Sequence, residues 1–406
     1  MSPIRCRLLY QSTSPHLQQL YTGFLMLHRS GAIRLSQERR RTRTVYTSRA
    51  PHLRDAAHAH LDAIIDGKVK AHFDAHDAED IATGELDDSD LYFKRSYLPS
   101  LIATLSRDQR SRIQPLGLNY RVLPSRIDWF AARRAVSLRG RLTARSMPRS
   151  LKEAFDPHNS FGYKPRVRGM EAPAQLDAEP RVLFLAATYD PHDDPGRARD
   201  KIEDRMSVNE TRARCIRLLK DELGERFMGG FADSAFARQR YPDLIMPCSL
   251  TTQARYIATM RSHPICVATT GLHGSIGWKL AEYVAFSKAI VTEKLLYSVP
   301  GDFARDRNYI EFASPDDCAA AATRLIEDRD LRERLMLNNA AYYREYVRPD
   351  ALVANVLKRA RGGARAEFAA TSILPSARPS SDARAHRRDR RARASRGARD
   401  GGDGWN

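Results

Sequence analysis

The chain has 406 residues, of which 42% are hydrophobic and 29% charged, with a formal net charge of +18. That length suffices for two ordinary domains, and the composition fits a globular protein. No run of about 18 apolar residues exists, and the opening MSPIRCRLLYQSTSP lacks an apolar stretch of leader length, so neither a membrane-spanning helix nor a signal peptide is expected. The expected location is cytoplasmic, with a peripheral contact at the inner membrane admitted by the charge. A basic chain suits a polyanionic partner: a nucleotide diphosphate, an anionic membrane surface or nucleic acid. The five cysteines, Cys6, Cys215, Cys248, Cys266 and Cys318, form no CxxC pair, which argues against a disulfide framework and a zinc-cysteine site.

Ile4–Tyr10 has the pattern of a strand, QSTSP that of a turn, and residues 16–30 that of an amphipathic helix closed by Gly31. Residues 33–36 suit a second strand. In residues 60–77, Asp66-Gly67 between two apolar runs is a hairpin signal. DSDLYFKRSY (88–97) interleaves aromatic and basic residues and nominates Lys94 and Arg95 for a cleft. IQPLGLNY (113–120) ends a further strand near a glycine loop. Residues 1–135 then form a first α/β domain. Residues 136–179, rich in proline, glycine and arginine, read as a linker.

The second domain, residues 180–345, is clearer. RVLFLAA (181–187) is a buried strand; Asn209 is a candidate N-cap for the helix ending before Gly224; residues 244–246 suit a short strand and 253–261 a helix. Strands at 264–269, 289–292 and 309–312 alternate with helices at 277–287, 315–327 and 330–347, which implies a mostly parallel sheet. Residues 346–360 close the chain's folded part with a helix over 350–359. The last 46 residues, with eleven arginines, no lysine and five acids, are expected to be a disordered basic tail.

The chemistry concentrates in TTGLHGSIGWKLAEYVAFSKAIVTE (269–293). It leaves a strand, turns on Gly271 and Gly274, and enters a helix whose amino end points at the crevice where α/β sheets bind nucleotides. At about 100° per residue, Ser275, Lys279 and Glu282 share one polar stripe, while Ile276, Leu280, Tyr283 and Val284 share an apolar arc. A carboxylate on that stripe can accept hydrogen bonds from ribose hydroxyls. A lysine and free backbone N–H groups can take phosphate.

This segment resembles the donor-site helix of group 1 glycosyltransferases. In that family a Glu, a Gly-aromatic-Gly turn, a second Glu, a small residue and a strand occur in order. Here Ser275-Ile276-Gly277 occupies the turn, Glu282 matches the second Glu, Ala285 the small residue, and the run Lys288–Val291 the strand. The resemblance covers roughly residues 181–358. VPGDF, NYIEF and YYREYVRPD, and more thinly DLYFKRSY and PLGLNY, are similar to a bacterial group of these enzymes. It implies a GT-B fold: two Rossmann-like α/β domains flanking a central cleft, with the final helix crossing back to the first. By the same resemblance Glu282 binds the donor's ribose. The family's first Glu falls at Gly274, a departure that leaves the sugar contact open; His273, beside it, is the catalytic or sugar-contacting candidate.

The expected donor site therefore comprises Thr270, Gly271, Ser275, Gly277, Lys279, Glu282, Asn209 and Arg212, with Arg205 and Tyr189-Asp190-Pro191 nearby, and Lys94 and Arg95 on the acceptor side. The expected partner is a nucleotide-diphosphate sugar acting as donor substrate, with no cofactor and no metal. The acceptor is a glycan, a lipid-linked or a protein hydroxyl, and polysaccharide synthesis is the expected setting. Asp74, His76, Asp77 and Asp80 have no diagnostic ligand spacing and read as a polar loop, and His52, His58 and His60 receive no role. No P-loop, GxGxxG after a strand or GxSxG is present. Two alternatives stay open. One is a non-catalytic nucleic-acid-binding protein with a basic tail, although no specific nucleic-acid signature is found. The other is a degenerate transferase that binds a sugar nucleotide without turnover.

Overall fold

The computed structural model describes residues 2–40, 59–125, 128–139, 165–247 and 253–362. Two α/β lobes each carry a sheet. The first contains β1 (Ile4–Tyr10), α1 (Gln18–Arg29), β2 (Ile33–Arg39), β3 (His60–Ile65), β4 (Val69–Asp74), α2 (Thr83–Asp87), β5 (Leu91–Lys94), α3 (Pro99–Ala103), α4 (Arg107–Arg112), β6 (Ile113–Pro115) and α5 (Trp129–Arg139). Its strands lie in the order β2-β1-β3-β4-β5-β6. β1 alternates strictly enough to send Ile4, Cys6, Leu8 and Tyr10 into the core. The Asp66-Gly67 turn holds both residues at positive φ, 51° and 72°, the mirror-image turn that matches strand twist. So short a connection joins only antiparallel neighbours. It makes β3–β4 antiparallel; β3 also runs antiparallel to β1, and the other pairs of the sheet are parallel. The expected two-lobed α/β architecture is present, with a mixed sheet in the first lobe.

The second lobe contains β7 (Val182–Ala186), α6 (Arg199–Leu223), β8 (Phe227–Phe231), α7 (Ala235–Arg240), α8 (Gln253–Ser262), β9 (Ile265–Ala268), α9 (Trp278–Ala285), β10 (Ala289–Glu293), β11 (Tyr309–Phe312), α10 (Pro315–Glu327) and α11 (Arg329–Tyr342). All its strands are parallel, in the order β11-β10-β9-β7-β8. Helices cover both faces, so β9 is buried at all four positions and reads as an unbroken apolar run. The strand order reverses between β7 and β9. In doubly wound sheets that reversal opens a crevice beyond the carboxyl ends of the two strands, where ligands bind.

Two expectations are corrected here. The fifth strand is β8, while residues 244–246 contribute a short helical turn over Pro242–Leu244 and one bridge from Ile245 to Phe231. The helix expected from Asn209 starts at Arg199, so Asn209 sits in its interior; the run 199–208, with Ile202, Met206 and Val208 among seven polar residues, is helical with too few apolar residues to announce it. Residues 140–164 of the expected linker, and the basic tail from 363 onward, lie outside the described residues. Among the described residues no helix is long and apolar enough to cross a membrane.

After a wide turn at Tyr343–Val347, α12 (Pro349–Ala360) leaves the second lobe and packs against α1 of the first. The two helices approach so closely at Gly23 that a Cβ there would lie 2.7 Å from the Pro349 carbonyl carbon and from Val353 Cγ2, and closer still to the Pro349 oxygen. Gln19 Nε2 donates to the Val347 carbonyl at 2.7 Å, and the Tyr120 and Tyr343 hydroxyls meet at 3.2 Å. Leu118, Tyr120 and Val122 of the first lobe share one apolar cluster with Leu280, Tyr283, Tyr342 and Tyr343 of the second. The lobes are thus joined by packed core as well as by chain.

Candidate functional site

A cavity of about 560 Å³ opens at the strand-order reversal. Leu185–Ala187 at the end of β7 and Val267–Thr269 at the end of β9 line one side; Met228, Gly230, Met246 and Tyr256 another; Gly271, Gly277, Trp278, Lys279 and Glu282 a third. Its size suits a nucleotide-sized ligand. All the lining residues come from the second lobe.

Arg212, on α6, lines the cavity, and Asn209, on the same helix, braces the Tyr189 loop beside it. Arg212 is buried; its Nε donates to Thr269 Oγ1 at 2.8 Å, and its two terminal nitrogens donate to the carbonyls of Ala187 (2.7 Å) and Thr270 (3.0 Å). The guanidinium also lies 5.0 Å from the centre of the Tyr189 ring. Asn209 accepts from the Tyr189 N–H at 2.9 Å and donates to its carbonyl at 2.7 Å, holding that backbone in both directions. Both residues were expected at a helix start, contacting diphosphate. The structure puts them mid-helix, with polar atoms engaged in fixing the loops after β7 and β9.

The turn from β9 into α9 is unusual. His273 and Gly274 are both left-handed, at φ 58° and 66°. A Cβ at Gly274 would lie 2.5 Å from Leu296 Cδ1. A glutamate there would have to adopt the left-handed backbone and push the half-exposed Leu296 side chain aside, so glycine suits this turn where the group 1 pattern has its first Glu. His273 is 52% exposed at its side chain, with Nδ1 3.8 Å from Asp204 Oδ2, and its carbonyl accepts from the Tyr297 hydroxyl at 3.1 Å. It does not line the cavity. Thr270 turns away too, donating from its N–H and hydroxyl to Glu293 at 2.6 and 2.8 Å. Ser275 precedes the helix and packs its hydroxyl against Gly271. Gly277 is the cap of α9 and supplies no side-chain acceptor, so the helix start that lines the cavity at Gly277, Trp278 and Lys279 has no side-chain cap.

Glu282 and Lys279 share the cavity edge, as their spacing implies. Glu282 is only 7% exposed. Its Oε2 accepts from the Tyr256 hydroxyl and from Lys279 Nζ at 3.2 Å. Lys279 Nζ also donates to the Tyr256 oxygen at 2.6 Å and sits 4.0 Å from that ring's centre. Sequence reasoning missed Tyr256, because a tyrosine on a separate helix carries no local signal for its carboxylate partner.

At the junction of the lobes, Arg95 is buried and donates to His16 Nδ1 at 2.7 Å, to the Asp77 carboxylate, and across to the Ile276 carbonyl at 2.9 Å. The His16 ring stands edge-on to Trp278, with centroids 5.2 Å apart. Burial, reinforced by Arg95, pushes the His16 imidazole down to about 4. His16 lies just past the loop after the first strand, a position that chain topology singles out in hindsight.

Lys94 requires a correction. It is fully buried, pairing with Asp74 at 3.0 Å, and takes no part in a cleft. Asp74 also accepts from the Tyr92 hydroxyl at 2.6 Å. Beside it, His60 Nδ1 lies 3.0 Å from His72 Nε2, and His72 Nδ1 lies 2.6 Å from Asp62. Asp62, His72 and Glu85 bring ligand-type atoms within 4.8 Å of one another, but Arg40 already bridges Asp62 and Glu85 at 3.0 and 2.6 Å. β5 is buried at its last three positions, on both faces, so Lys94 is enclosed, and its partner Asp74 makes that burial tolerable.

This buried cluster sets an acid limit. Burial holds the His60 imidazole down to about 3. The unfolded chain takes up that proton near 6.5, so stability is complete above that pH and falls as pH drops toward 3. The slope is about 1.4 kcal/mol per pH unit for one imidazole, and His16 adds to it until about 4. Urea midpoints measured from pH 7 to 4.5 are expected to fall steadily, with a shallower slope in His60→Gln. An equal slope in both proteins would remove His60 as a cause.

No family model and no curated protein matches the chain. Solved structures do resemble it. One is the C-terminal domain of a group 1 family glycosyl transferase from Francisella tularensis, at TM-score 0.32 and 13% identity over 44% of this chain and 96% of that one. Another is WaaG, a glycosyltransferase involved in lipopolysaccharide biosynthesis, at TM-score 0.37 and 10% identity over 88% and 98%. A third is the pneumococcal O-GlcNAc transferase GtfA in complex with UDP and GlcNAc, at TM-score 0.31 and 12% identity; the match covers 54% of this chain and 44% of that one. Superpositions this loose add no weight to the fold, which stands on strand order: two α/β lobes, the second doubly wound with a cavity at its reversal point.

Proposed function

We propose that the chain is a GT-B-type glycosyltransferase whose second lobe binds a nucleotide-diphosphate sugar. The observation that carries this reading is a buried carboxylate, Glu282, beside an ammonium, Lys279, on the wall of a nucleotide-sized cavity at the strand reversal. In this reading Glu282 accepts a ribose hydroxyl. Lys279 and the open amides of α9 take the diphosphate, with Arg212 adding positive potential from below. Those groups stabilise the charge on the departing diphosphate, where most of it develops. The acceptor hydroxyl enters from the first-lobe side, near Arg95, Asp77 and Trp278. The donor is a substrate, and the scheme needs no separate cofactor.

A screen of UDP, GDP, CDP and ADP sugars by thermal shift and calorimetry tests it. At least one is expected to bind, and Glu282→Ala is expected to weaken it about 10- to 100-fold, the worth of a hydrogen bond to a charged group. Binding that survives Glu282→Ala undiminished would move the ligand elsewhere. A second reading, binding without turnover, is favoured by Gly274, which supplies no second carboxylate and sits at a positive φ where a side chain is strained. Binding with no release of free nucleotide diphosphate across a panel of sugar acceptors would decide for it.

A further inference from the structure

Tyr256 fixes which oxygen of Glu282 meets a ligand. An ammonium has only donors, so where Lys279 donates to the Tyr256 oxygen, the phenolic hydrogen must point to the other neighbour, Glu282 Oε2. No other arrangement satisfies both contacts. Oε2 therefore carries two charge-assisted or phenolic donors from the protein itself. Oε1 belongs to the same cavity-lining carboxylate and takes neither of them. Tyr256 comes from α8 and Lys279 from α9, so two separately anchored helices hold the carboxylate in one orientation.

We propose that Tyr256 is a specificity-setting positioning residue that limits Glu282 to one available oxygen, so that the site reads a single ribose hydroxyl and not the pair. This rests on the nucleotide-sugar reading above. A carboxylate with both oxygens free can take the two vicinal hydroxyls of a ribose side by side. With Oε2 occupied, one hydroxyl is read and its neighbour is nearly neutral. Removing the phenolic hydroxyl leaves Oε2 held only by Lys279, a flexible partner that can swing to phosphate. The second ribose hydroxyl then gains a place to bind.

Calorimetry of the full chain with UDP and GDP, each compared with its 2′-deoxy and 3′-deoxy forms, tests this. In the wild type, one deoxy form of the tighter nucleotide is expected to bind at least 10-fold more weakly than its parent, and the other less than 3-fold. In Tyr256→Phe, which keeps the ring under Lys279, the two deoxy penalties are expected to converge to within about 3-fold of each other. Lys279→Gln is expected to weaken parent and deoxy forms alike, leaving the asymmetry intact, because it keeps the Tyr256–Glu282 bond. Equal penalties in the wild type, or an unchanged asymmetry in Tyr256→Phe, overturns the proposal while the nucleotide site stands. Failure of every nucleotide to bind the wild type removes the site itself, and this role with it.

Discussion

Replacing Gly23 by alanine is expected to destabilise the protein by about 2 kcal/mol, although helix propensity alone predicts a gain of roughly 1 kcal/mol. The sign is decided at the α1–α12 crossing. The new methyl would meet the carbonyl of Pro349, which is backbone, as well as Val353 Cγ2. A side chain can rotate away; a carbonyl at the first turn of a helix moves only with the helix. Shifting α12 outward strains the Gln19–Val347 hydrogen bond and the Tyr120–Tyr343 contact, both of which join the lobes. Urea denaturation reads the loss directly. Adding Val353→Ala is expected to recover little, because the nearest clash is with backbone. Nucleotide binding is expected to persist, since the cavity is built from the second lobe alone, while transfer to an acceptor falls. An alanine variant as stable as the parent would mean that α12 is not seated on α1 at this depth.

Much of this fold was legible because burial writes itself into periodicity. β9 and β10 read as apolar runs, α9 as a stripe and an arc, and Asp66-Gly67 as a hairpin. The parts that stayed hidden have specific causes. β8 carries Gly229-Gly230 where a strand usually shows branched residues; the chain needs them because Cβ atoms there would run into Phe184, Phe227 and Met246. The first half of α6 carries only Ile202, Met206 and Val208 among polar residues, too few for a core-facing stripe, so the sequence alone puts its start at Asn209. At the site, Lys279 and Glu282 were found by spacing, since both sit on one helix. Tyr256, Trp278 and His16 were not, because their roles arise only when separate elements meet. His273 and Thr270 were selected for lying in a glycine turn, and Ser275 for sharing a helical stripe with Lys279 and Glu282, although its backbone is extended and the helix begins only at Trp278. A turn fixes where a backbone goes but leaves open which way each side chain faces.

Lys94 shows the same limit from the other side, and its removal is expected to have the largest effect of any single change. In DLYFKRSY it looks like half of a basic pair at a cleft. Lys94 is the last residue of β5 and pairs in the core with Asp74, while Arg95, just past the strand, reaches the lobe junction. Lys94→Met keeps the stem's volume but leaves Asp74 buried without its cation. Breaking a buried pair by removing one partner costs about 3–5 kcal/mol, because the remaining charge is desolvated and uncompensated. Tyr92 still donates one hydrogen bond to Asp74, which places the loss toward the lower end of that range. Adding Asp74→Asn removes the orphaned charge and is expected to restore most of the stability. That recovery separates an electrostatic cause from a packing one in a denaturant series. The fraction of Lys94→Met that remains folded is expected to bind nucleotide as the parent does, since neither Lys94 nor Asp74 lines the cavity. A single substitution costing under about 1 kcal/mol, the range of an exposed pair, would mean that Lys94 reaches solvent and that its placement in a cleft should be reconsidered.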